Sequence, residues 1–358
     1  MHIGVPKEVK EHEYRVSLTP DGAEKLIKSG HRVLIEHSAG DGSGFSDDTY
    51  KKAGAEVTNR NFLFKNAELI VKVKEPLPEE YDLFSEDQAL FTFLHLAPNQ
   101  ELIDMLLKKN ITSFAYETLE IDHGLPLLRP MSEIAGKMAP VVAAYYMQKI
   151  HGGAGILVTG ASGVAPARVL ILGAGTVGMG ALKVAYGMGA EVTIINRGEE
   201  KLKIIDDMYK GKVRTITSTH ENIVSEVKKC DILIGAVLVT GARAPGLVSG
   251  DLVSKMNKGS VIVDVSVDQG GCIETTKPTT HNNPVYTVDG VVHYTVANMP
   301  GAYPRTSTLA LTNKTLEYIE MIAGHGIEKS ATGDGPLRSA LNTYKGKITH
   351  KAVAGELK

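Results

Sequence analysis

Three glycines, Gly173, Gly175 and Gly178, stand at G-x-G-x-x-G spacing directly after an apolar run. In dinucleotide-binding turns the first glycine permits a tight turn, the second lets a pyrophosphate approach the backbone, and the third lets a helix pack closely on a strand. Residues 169–172 predict a strand buried on both faces of a parallel sheet, and residues 179–188 predict a helix. The free N–H groups and the dipole at the start of that helix favour an anion. The spacing and its context therefore predict a dinucleotide site.

Two further sets of residues have the chemistry to bind a small anionic substrate. Arg15 follows the first predicted strand, and its planar guanidinium suits a carboxylate. The alternative is a surface arginine paired with Glu11 or Glu13. Lys72 and Lys74 lie two positions apart, on one face of a strand end, where lysines are usually solvated.

Proton transfer requires groups of another type, and three candidates follow predicted strands. His95 comes after the apolar run 90–94 and suits proton transfer near neutral pH; the alternative is a structural histidine. Asp268 follows a strand of the predicted dinucleotide domain, so it is a candidate catalytic carboxylate in the cofactor crevice. Asn298 follows the last predicted strand of that domain and borders the same crevice.

The elements that position these residues alternate between strand and helix. After the glycines, strands are predicted at 192–195, 213–217, 232–237, 261–265 and 292–296, and helices at 199–208, 223–229 and 251–256. This order predicts a doubly wound parallel sheet. The loops after Gly173, Ile195, Ala236 and Val265 are then expected to face one cleft.

The first 130 residues have the same α/β pattern. Strands are predicted at 3–5, 33–36, 69–73, 89–93 and 113–116, and helices at 21–29 and 99–109. Long helices at 132–149 and 307–325 bracket the glycine-containing part. The sequence therefore predicts an α/β protein with two Rossmann-like domains separated by a cleft. A discontinuous substrate and catalytic domain covers 1–129 plus 305–358, and a Rossmann dinucleotide-binding domain covers 130–304. No element is assigned to the polar tail from 330 to 358.

Composition excludes several classes of protein. The 358 residues carry a net charge of −2, which leaves no basic footprint for nucleic acid. No apolar run approaches the roughly 18 residues of a membrane span, and the N-terminus does not have the pattern of a signal peptide. Two cysteines, Cys230 and Cys272, cannot form a disulfide framework, which favours a reducing, cytoplasmic setting.

Taken together, the motifs are more specific than any one of them. They are MHIGVPKE at the N-terminus, EYRVSLTP from Glu13, VKVKEP from Val71, FTFLHL from Phe91, PMSE from Pro130, GAGTVG from Gly173, VDQGGC from Val267 and VANMPG from Val296. In this order, and from Met1 to about residue 351, the chain resembles the L-alanine dehydrogenase family. The alpha subunit of nicotinamide nucleotide transhydrogenase is a relative of that family.

The resemblance implies a role for each candidate. Arg15 would clamp the substrate carboxylate, with Lys74 as a second substrate contact and Asn298 among the substrate-binding residues. His95 would be the proton donor or acceptor at the keto or imine carbon. Asp268 would be a second acid/base group that helps to position the imino intermediate. The implied reaction is reversible: L-alanine, water and oxidised cofactor give pyruvate, ammonium and reduced cofactor.

The resemblance also implies a set of dinucleotide contacts. It comprises Ser132, Thr176, Lys201, Ser218, Val237, Leu238, Val265, Ser266, Val267, Asp268, Val296, Ala297, Asn298 and Met299. The glycine turn and the end of the next strand add further candidates from the motif itself, namely Gly173, Gly175, Val177, Gly178, Asn196 and Arg197. NAD is the implied cofactor. A NAD-preferring site, however, has an acid about 20 residues beyond the glycines, where it binds the ribose 2′-hydroxyl. This chain has Asn196 and Arg197 there, which do not repel a 2′-phosphate, so we expect NADP to be tolerated or even preferred.

Glu117 and His325 match family positions at which magnesium lies near the cofactor. One Glu and one His make a poor set for an ion that prefers oxygen, and the chemistry requires no metal. The expected partners are alanine, pyruvate and ammonium, with neither nucleic acid nor membrane, and the resemblance implies a homohexamer. Two alternatives remain open. One is a dinucleotide-binding component of the transhydrogenase-alpha type that transfers no hydride to a small substrate; the other is a dehydrogenase of another small amino acid.

Overall fold

The computed structural model describes residues 1–96, 99–237 and 244–356. Contacts between Cα atoms divide the chain into two compact units. The first comprises Met1–Met131 and Gly301–Lys358, and the second comprises Ser132–Pro300. The sequence predicts the boundaries after residues 129 and 304.

The first unit begins with alternating strands and helices. The strands are β1 (His2–Val5), β2 (Arg32–Glu36), β3 (Glu56–Thr58), β4 (Leu69–Val71), β5 (Ala89–Thr92) and β6 (Thr112–Ala115), and the helices are α1 (Pro20–Lys28), α2 (Asp47–Lys52), α3 (Arg60–Asn66), α4 (Pro78–Tyr81) and α5 (Gln100–Lys108). Side-chain oxygens of Thr19, Asn59 and Asn99 accept the backbone N–H three positions further on, and thereby cap the N-termini of α1, α3 and α5.

The long helix α6 (Arg129–Tyr146) leads into the second unit. The elements that follow are β7 (Arg168–Leu172), α7 (Thr176–Gly187), β8 (Glu191–Asn196), α8 (Glu199–Tyr209), β9 (Arg214–Thr217), α9 (His220–Val227), β10 (Ile232–Gly235), α10 (Gly250–Ser254), β11 (Val261–Asp264), β12 (Val285–Val288) and β13 (Val291–Tyr294). The sheet order is β12-β13-β11-β10-β7-β8-β9. Every adjacent pair is parallel except β12 with β13. The predicted doubly wound sheet is confirmed, with an antiparallel edge strand added.

Alternate residues of the central strands explain why helices cover both faces of this sheet. Val169 and Ile171 of β7 join one apolar cluster, which includes residues of α6, α7 and α8. Leu170 and Leu172 join another, which includes residues of α9 and α10. Because side chains of a strand point alternately to its two faces, an all-apolar run such as β7 needs a helix layer on each side.

The chain then returns to the first unit. It forms α11 (Pro304–His325), α12 (Ile327–Thr332), α13 (Leu337–Ala340), β14 (Leu341–Tyr344), β15 (Lys347–Ile348) and α14 (Lys351–Glu356). The first sheet has the order β15-β14-β6-β5-β4-β1-β2-β3 and is parallel from β6 to β3, with β14 antiparallel to β6. Thr343 anchors β14, since its Oγ1 lies 2.7 Å from Ser113 Oγ and donates to the Ile111 carbonyl. The polar tail therefore forms two strands to which the sequence assigns no element.

The state of the cysteines and the character of the helices bear on the expectations of a reducing setting and of no membrane span. Cys230 and Cys272 are buried free thiols. Within the described ranges, none of the helices combines the length and the apolar character that a bilayer crossing requires.

Candidate active site

Arg15 is buried and paired. Only 2% of the residue is exposed, and its Nε and Nη2 donate to Glu13 Oε1 and Oε2 at 2.6 and 2.5 Å. Nη1 donates to Met131 Sδ at 3.0 Å. The alternative expected from the sequence was a surface arginine paired with Glu11 or Glu13. Arg15 is buried, so the expected exposure is wrong, but the expected pairing with Glu13 is confirmed. This two-point pairing fixes the plane of the guanidinium, as binding of a substrate carboxylate requires.

Lys72 and Lys74 occupy different environments. Lys72 is fully buried, with Nζ 3.1 Å from Glu8 Oε2 and 2.8 Å from Glu80 Oε1. Burial opposes its charge, but the two carboxylates outweigh burial and raise the pKa of Lys72. Lys74 is half-buried, and burial together with the charge of Arg15 lowers the pKa of its ammonium. Lys72 is therefore committed to internal ion pairs, and Lys74 is the lysine suited to a substrate.

His95 sits at the end of β5 in a left-handed backbone conformation, with φ of 46°. The Glu117 carboxylate accepts the backbone N–H of both Leu94 and His95, the latter at 2.7 Å. The imidazole has 46% of its surface exposed, and its Nδ1 lies 3.3 Å from Glu75 Oε2. The Phe93 ring stacks at 5.9 Å from the imidazole. The imidazole of His95 is thus partly exposed. Glu117 binds the backbone of His95, and Glu75 lies within hydrogen-bonding distance of its Nδ1.

Glu75 was not identified by sequence reasoning. Its Oε1 accepts from Lys10 Nζ at 2.6 Å, while Oε2 faces His95. Burial opposes ionisation, but the hydrogen bond to His95 and the charges of Lys74, His95 and Lys10 outweigh it and lower the pKa of the Glu75 carboxyl. Glu75 adjoins Lys74 in the VKVKEP motif, yet its contact with His95 spans 20 positions, which no local pattern shows. The first unit therefore groups Lys74, Glu75 and His95, and Arg15 interacts electrostatically with Lys74.

The glycine turn of the second unit joins β7 to α7. Gly173 has φ of 102°, and a Cβ at Gly178 would lie 1.8 Å from the Gly173 carbonyl oxygen. Both positions therefore require glycine. A Cβ at Gly175, in contrast, would meet no other described atom within 4 Å. Open space beside Gly175, at the N-terminus of a twelve-residue helix, fits the pyrophosphate of a dinucleotide.

Asn196 ends β8 beside this turn. Its Oδ1 accepts the Ala174 N–H at 3.0 Å, and its Nδ2 donates to the Gly198 carbonyl at 2.9 Å. Its own carbonyl accepts the Ser218 N–H at 3.0 Å. Arg197 is exposed. The position that holds an acid in NAD-preferring sites is therefore occupied by a neutral amide that is bonded on both sides.

Asp268 lies exposed on a short 3₁₀ turn, Val267–Gln269, after β11. The loop is organised by Asp264, which sequence reasoning also missed. Asp264 is 1% exposed and accepts the N–H groups of Ser266 and Cys272, each at 3.0 Å, and the Thr276 hydroxyl at 2.8 Å. Burial raises the pKa of Asp264, although these hydrogen bonds oppose the shift. Asp264 thus fixes the backbone that carries Asp268.

Most other predicted dinucleotide contacts follow the carboxyl ends of parallel strands, which lie at one edge of the sheet. These are Ser218 after β9, Val237 after β10, Val265, Ser266 and Val267 after β11, and Val296, Ala297, Asn298 and Met299 after β13. Thr176 and Val177 begin α7, and Lys201 is exposed in the first turn of α8. Ser132 is on α6, which packs on α7 so closely that a Cβ at Gly136 would lie 2.2 Å from the Val177 carbonyl oxygen. Leu238 falls outside the described residues.

Glu117 and His325, the two weak candidates for metal binding, lie in different environments. Both carboxylate oxygens of Glu117 accept backbone N–H groups, and His325 is exposed at the end of α11. Across the described part of the chain, no group of three or more His, Cys, Asp or Glu side chains is arranged to hold a metal ion.

Comparison with family models matches both parts of the chain. Residues 4–135 match the N-terminal domain described as alanine dehydrogenase/PNT, and residues 139–351 match the C-terminal domain of the same description. A solved structure titled L-alanine dehydrogenase aligns with a TM-score of 0.96 at 47% identity, covering 100% of this chain and 99% of that one. A transhydrogenase from Sinorhizobium meliloti aligns at 0.83 with 25% identity, covering 98% and 100%.

Curated relatives extend the similarity over the full length. The alanine dehydrogenase of Methanococcus maripaludis is 52% identical over 357 residues, and that of Halomonas elongata is 51% identical over 356 residues. Both alignments cover 99% of this chain and 96% of the relative. With both family models matched in order, the chain belongs to the alanine dehydrogenase/PNT family.

Proposed function

We propose that the protein is an L-alanine dehydrogenase that interconverts L-alanine with pyruvate and ammonium. Family membership implies a nicotinamide dinucleotide as the cofactor. The observation that carries the proposal is the grouping of Lys74, His95 and Glu75 in the first unit, with Arg15 held close enough to influence Lys74. A protein that only binds a dinucleotide has no need of such a set. In this proposal the first unit holds the substrate and the second holds the dinucleotide.

In the proposed reaction, Arg15, Lys74 and His95 of the first unit have separate roles. Arg15, whose guanidinium is oriented by two hydrogen bonds to Glu13, binds the substrate carboxylate. Lys74, whose pKa is lowered, makes the second contact with the substrate. In the direction of alanine oxidation, a bound nicotinamide would supply the acceptor for the hydride of Cα once the substrate amine has lost its proton, and the substrate would then be an iminium. His95 takes a proton from the water whose oxygen adds to the imine carbon. It gives that proton to the carbinolamine nitrogen, and as the C–N bond breaks and ammonia leaves, it accepts the proton of the new hydroxyl, so that the carbonyl of pyruvate forms.

In the second unit we propose roles for Asp268 and Asn298. Asp268 supplies a second acid/base group that positions the imino intermediate, and the hydrogen bonds of Asp264 hold its loop. Asn298 lies four residues beyond the end of β13 and has a left-handed backbone with φ of 67°. The open space at Gly175 and the adjoining N–H groups of α7 would hold the pyrophosphate. The remaining predicted contacts are proposed for the rest of the dinucleotide.

We further propose that the enzyme uses NAD and also accepts NADP. The support is chemical: an amide at Asn196 has no charge to repel a 2′-phosphate, and the exposed Arg197 beside it can pair with one. We propose no metal for catalysis.

A homohexamer is proposed from the family resemblance. Large apolar side chains on and after α6 are exposed, among them Tyr145 at 50%, Ile150 at 82%, Leu157 at 64% and Val164 at 65%. Such a concentration supports burial against further copies of the chain. Light scattering after size exclusion tests this, and a monomeric mass would contradict it.

The test of function is oxidation of NADH and of NADPH in the presence of pyruvate, with and without ammonium. We expect oxidation that depends on ammonium and occurs with both cofactors. A hundredfold or greater preference for NADH would refute acceptance of NADP. Turnover with glyoxylate but not pyruvate would indicate another amino acid, and binding of NADH without turnover would favour a dinucleotide-binding component.

A further inference from the structure

The Glu75 carboxylate bridges two basic side chains of the first unit. Oε1 accepts from Lys10 Nζ at 2.6 Å, and Oε2 lies 3.3 Å from His95 Nδ1. Its side chain is only 11% exposed, so the surrounding water screens these interactions weakly. The other charged groups that face this pair are Lys74, next in sequence, and Glu117, which holds the His95 backbone.

We infer that Glu75 is a positioning residue for His95, which holds the imidazole as its Nδ1–H tautomer and leaves Nε2 to exchange the proton with the substrate. This inference rests on the proposed function, in which His95 is the proton donor and acceptor. Neither the family models nor the names of the relatives assign a role to Glu75.

The chemistry of the two groups decides the tautomer. An ionised carboxylate can only accept hydrogen bonds, so Nδ1 must carry the hydrogen at this contact. A neutral imidazole has one ring N–H, and Nε2 therefore has the lone pair that takes a proton from water. When Nε2 is protonated, the same carboxylate stabilises the imidazolium. The ammonium of Lys10 on the opposite oxygen keeps Glu75 ionised and oriented.

The backbone of His95 is held in place as well as its ring. A left-handed φ is uncommon for a residue with a side chain, and Glu117 supports it here through the N–H groups of Leu94 and His95. With Glu117 on the backbone and Glu75 on Nδ1, His95 is fixed in direction and in tautomer. A general acid or base gains its efficiency from such placement.

The test replaces Glu75 with the uncharged Gln and uses Glu79→Gln as the matched control. Glu79 is exposed on α4, four positions away. For alanine oxidation we expect Glu75→Gln to lower kcat by about 10- to 100-fold, with KM for alanine and Kd for NADH changed by less than about threefold. Glu79→Gln should match the wild type in each value.

A double-mutant cycle separates positioning from general stability. In a His95→Gln background, the added Glu75→Gln change should cause no further loss of kcat, because Glu75 acts only through His95. Additive losses or a wild-type kcat for Glu75→Gln would each overturn the inference. A wild-type protein without alanine-dependent reduction of NAD or NADP would instead refute the proposed function. The two failures are therefore distinguishable.

Discussion

The side-chain oxygen of Asn196 accepts the backbone N–H of Ala174, the residue between the first two glycines of the turn, at 3.0 Å. This bond ties the end of β8 to the β7–α7 turn. An aspartate could accept the same N–H, but it could not donate to the Gly198 carbonyl, to which Asn196 Nδ2 donates at 2.9 Å. An Asp at this position therefore differs from Asn by one lost hydrogen bond within the loop and by one negative charge, and the charge bears on the cofactor.

We expect Asn196→Asp to shift cofactor use toward NAD. Placing like charges together costs several kcal/mol, so kcat/KM with NADPH should fall at least about tenfold, or roughly 1.4 kcal/mol, relative to NADH. Steady-state kinetics with both cofactors measures this ratio. Asn257→Asp is the control, since Asn257 is exposed and precedes β11, at the opposite edge of the sheet. An unchanged ratio in Asn196→Asp would show that this position does not select the cofactor.

Local patterns predicted the central elements of both sheets, because apolar runs and turn residues report burial directly. The strands that the sequence analysis did not predict lie at or next to the edges of their sheets: β3, β12, β14 and β15. β12 and β13 are joined by Asp289 and Gly290, both with positive φ, which is a hairpin signal that the sequence analysis did not use. β14 and β15 are likewise joined by Lys345 and Gly346. β14 also pairs with β6, which lies far earlier in the chain, and that pairing was not readable from periodicity.

The candidate site was likewise predicted only in part. Residues with distinctive chemistry after strands, such as His95 and Asp268, were proposed from the sequence, whereas no carboxylate was expected to hold them, and Glu117 was named only as a weak metal candidate. Glu75 and Glu117 contact His95 across 20 and 22 positions. Asp264 was seen only as the end of a strand. Such contacts depend on which strand ends become neighbours, and one sequence without its fold does not contain that information in local form.

Glu13 should be as important to stability as to binding. Its carboxylate and the Arg15 guanidinium are both nearly excluded from water. Glu13→Gln leaves a buried cation without its anion, so we expect unfolding free energy to fall by about 3 kcal/mol and KM for pyruvate to rise. Urea titration measures the first effect. Glu11→Gln is the control, because the Glu11 side chain is 70% exposed, and it should change stability by less than about 0.5 kcal/mol. Equal effects of the two changes would contradict the prediction.

Glu75 should contribute to the acid sensitivity of the fold. Its pKa in the folded protein is below the ordinary value of 4.5, so the unfolded chain takes up a proton before the folded one does. The resulting stabilisation is complete above the unfolded pKa and is lost as pH falls through the folded pKa. Glu75→Gln should therefore be less stable than the wild type at pH 7 and lose less stability between about pH 5 and about pH 3. Urea midpoints across that range test this, and parallel pH profiles would contradict it.

Gly175 and Gly178 should respond oppositely to a single added methyl group. Gly175 has φ of −80° and open space at its Cβ position, so Gly175→Ala should fold with a melting temperature at or slightly above that of the wild type. The methyl group would then occupy the space through which a pyrophosphate approaches the backbone, and we expect Kd for NADH to rise at least about tenfold. In Gly178→Ala the new Cβ would collide with the Gly173 carbonyl oxygen, which should destabilise the protein by about 3 kcal/mol. Fluorescence titration with NADH and thermal melts separate the two effects. If Gly175→Ala bound NADH like the wild type, the pyrophosphate could not lie against this turn.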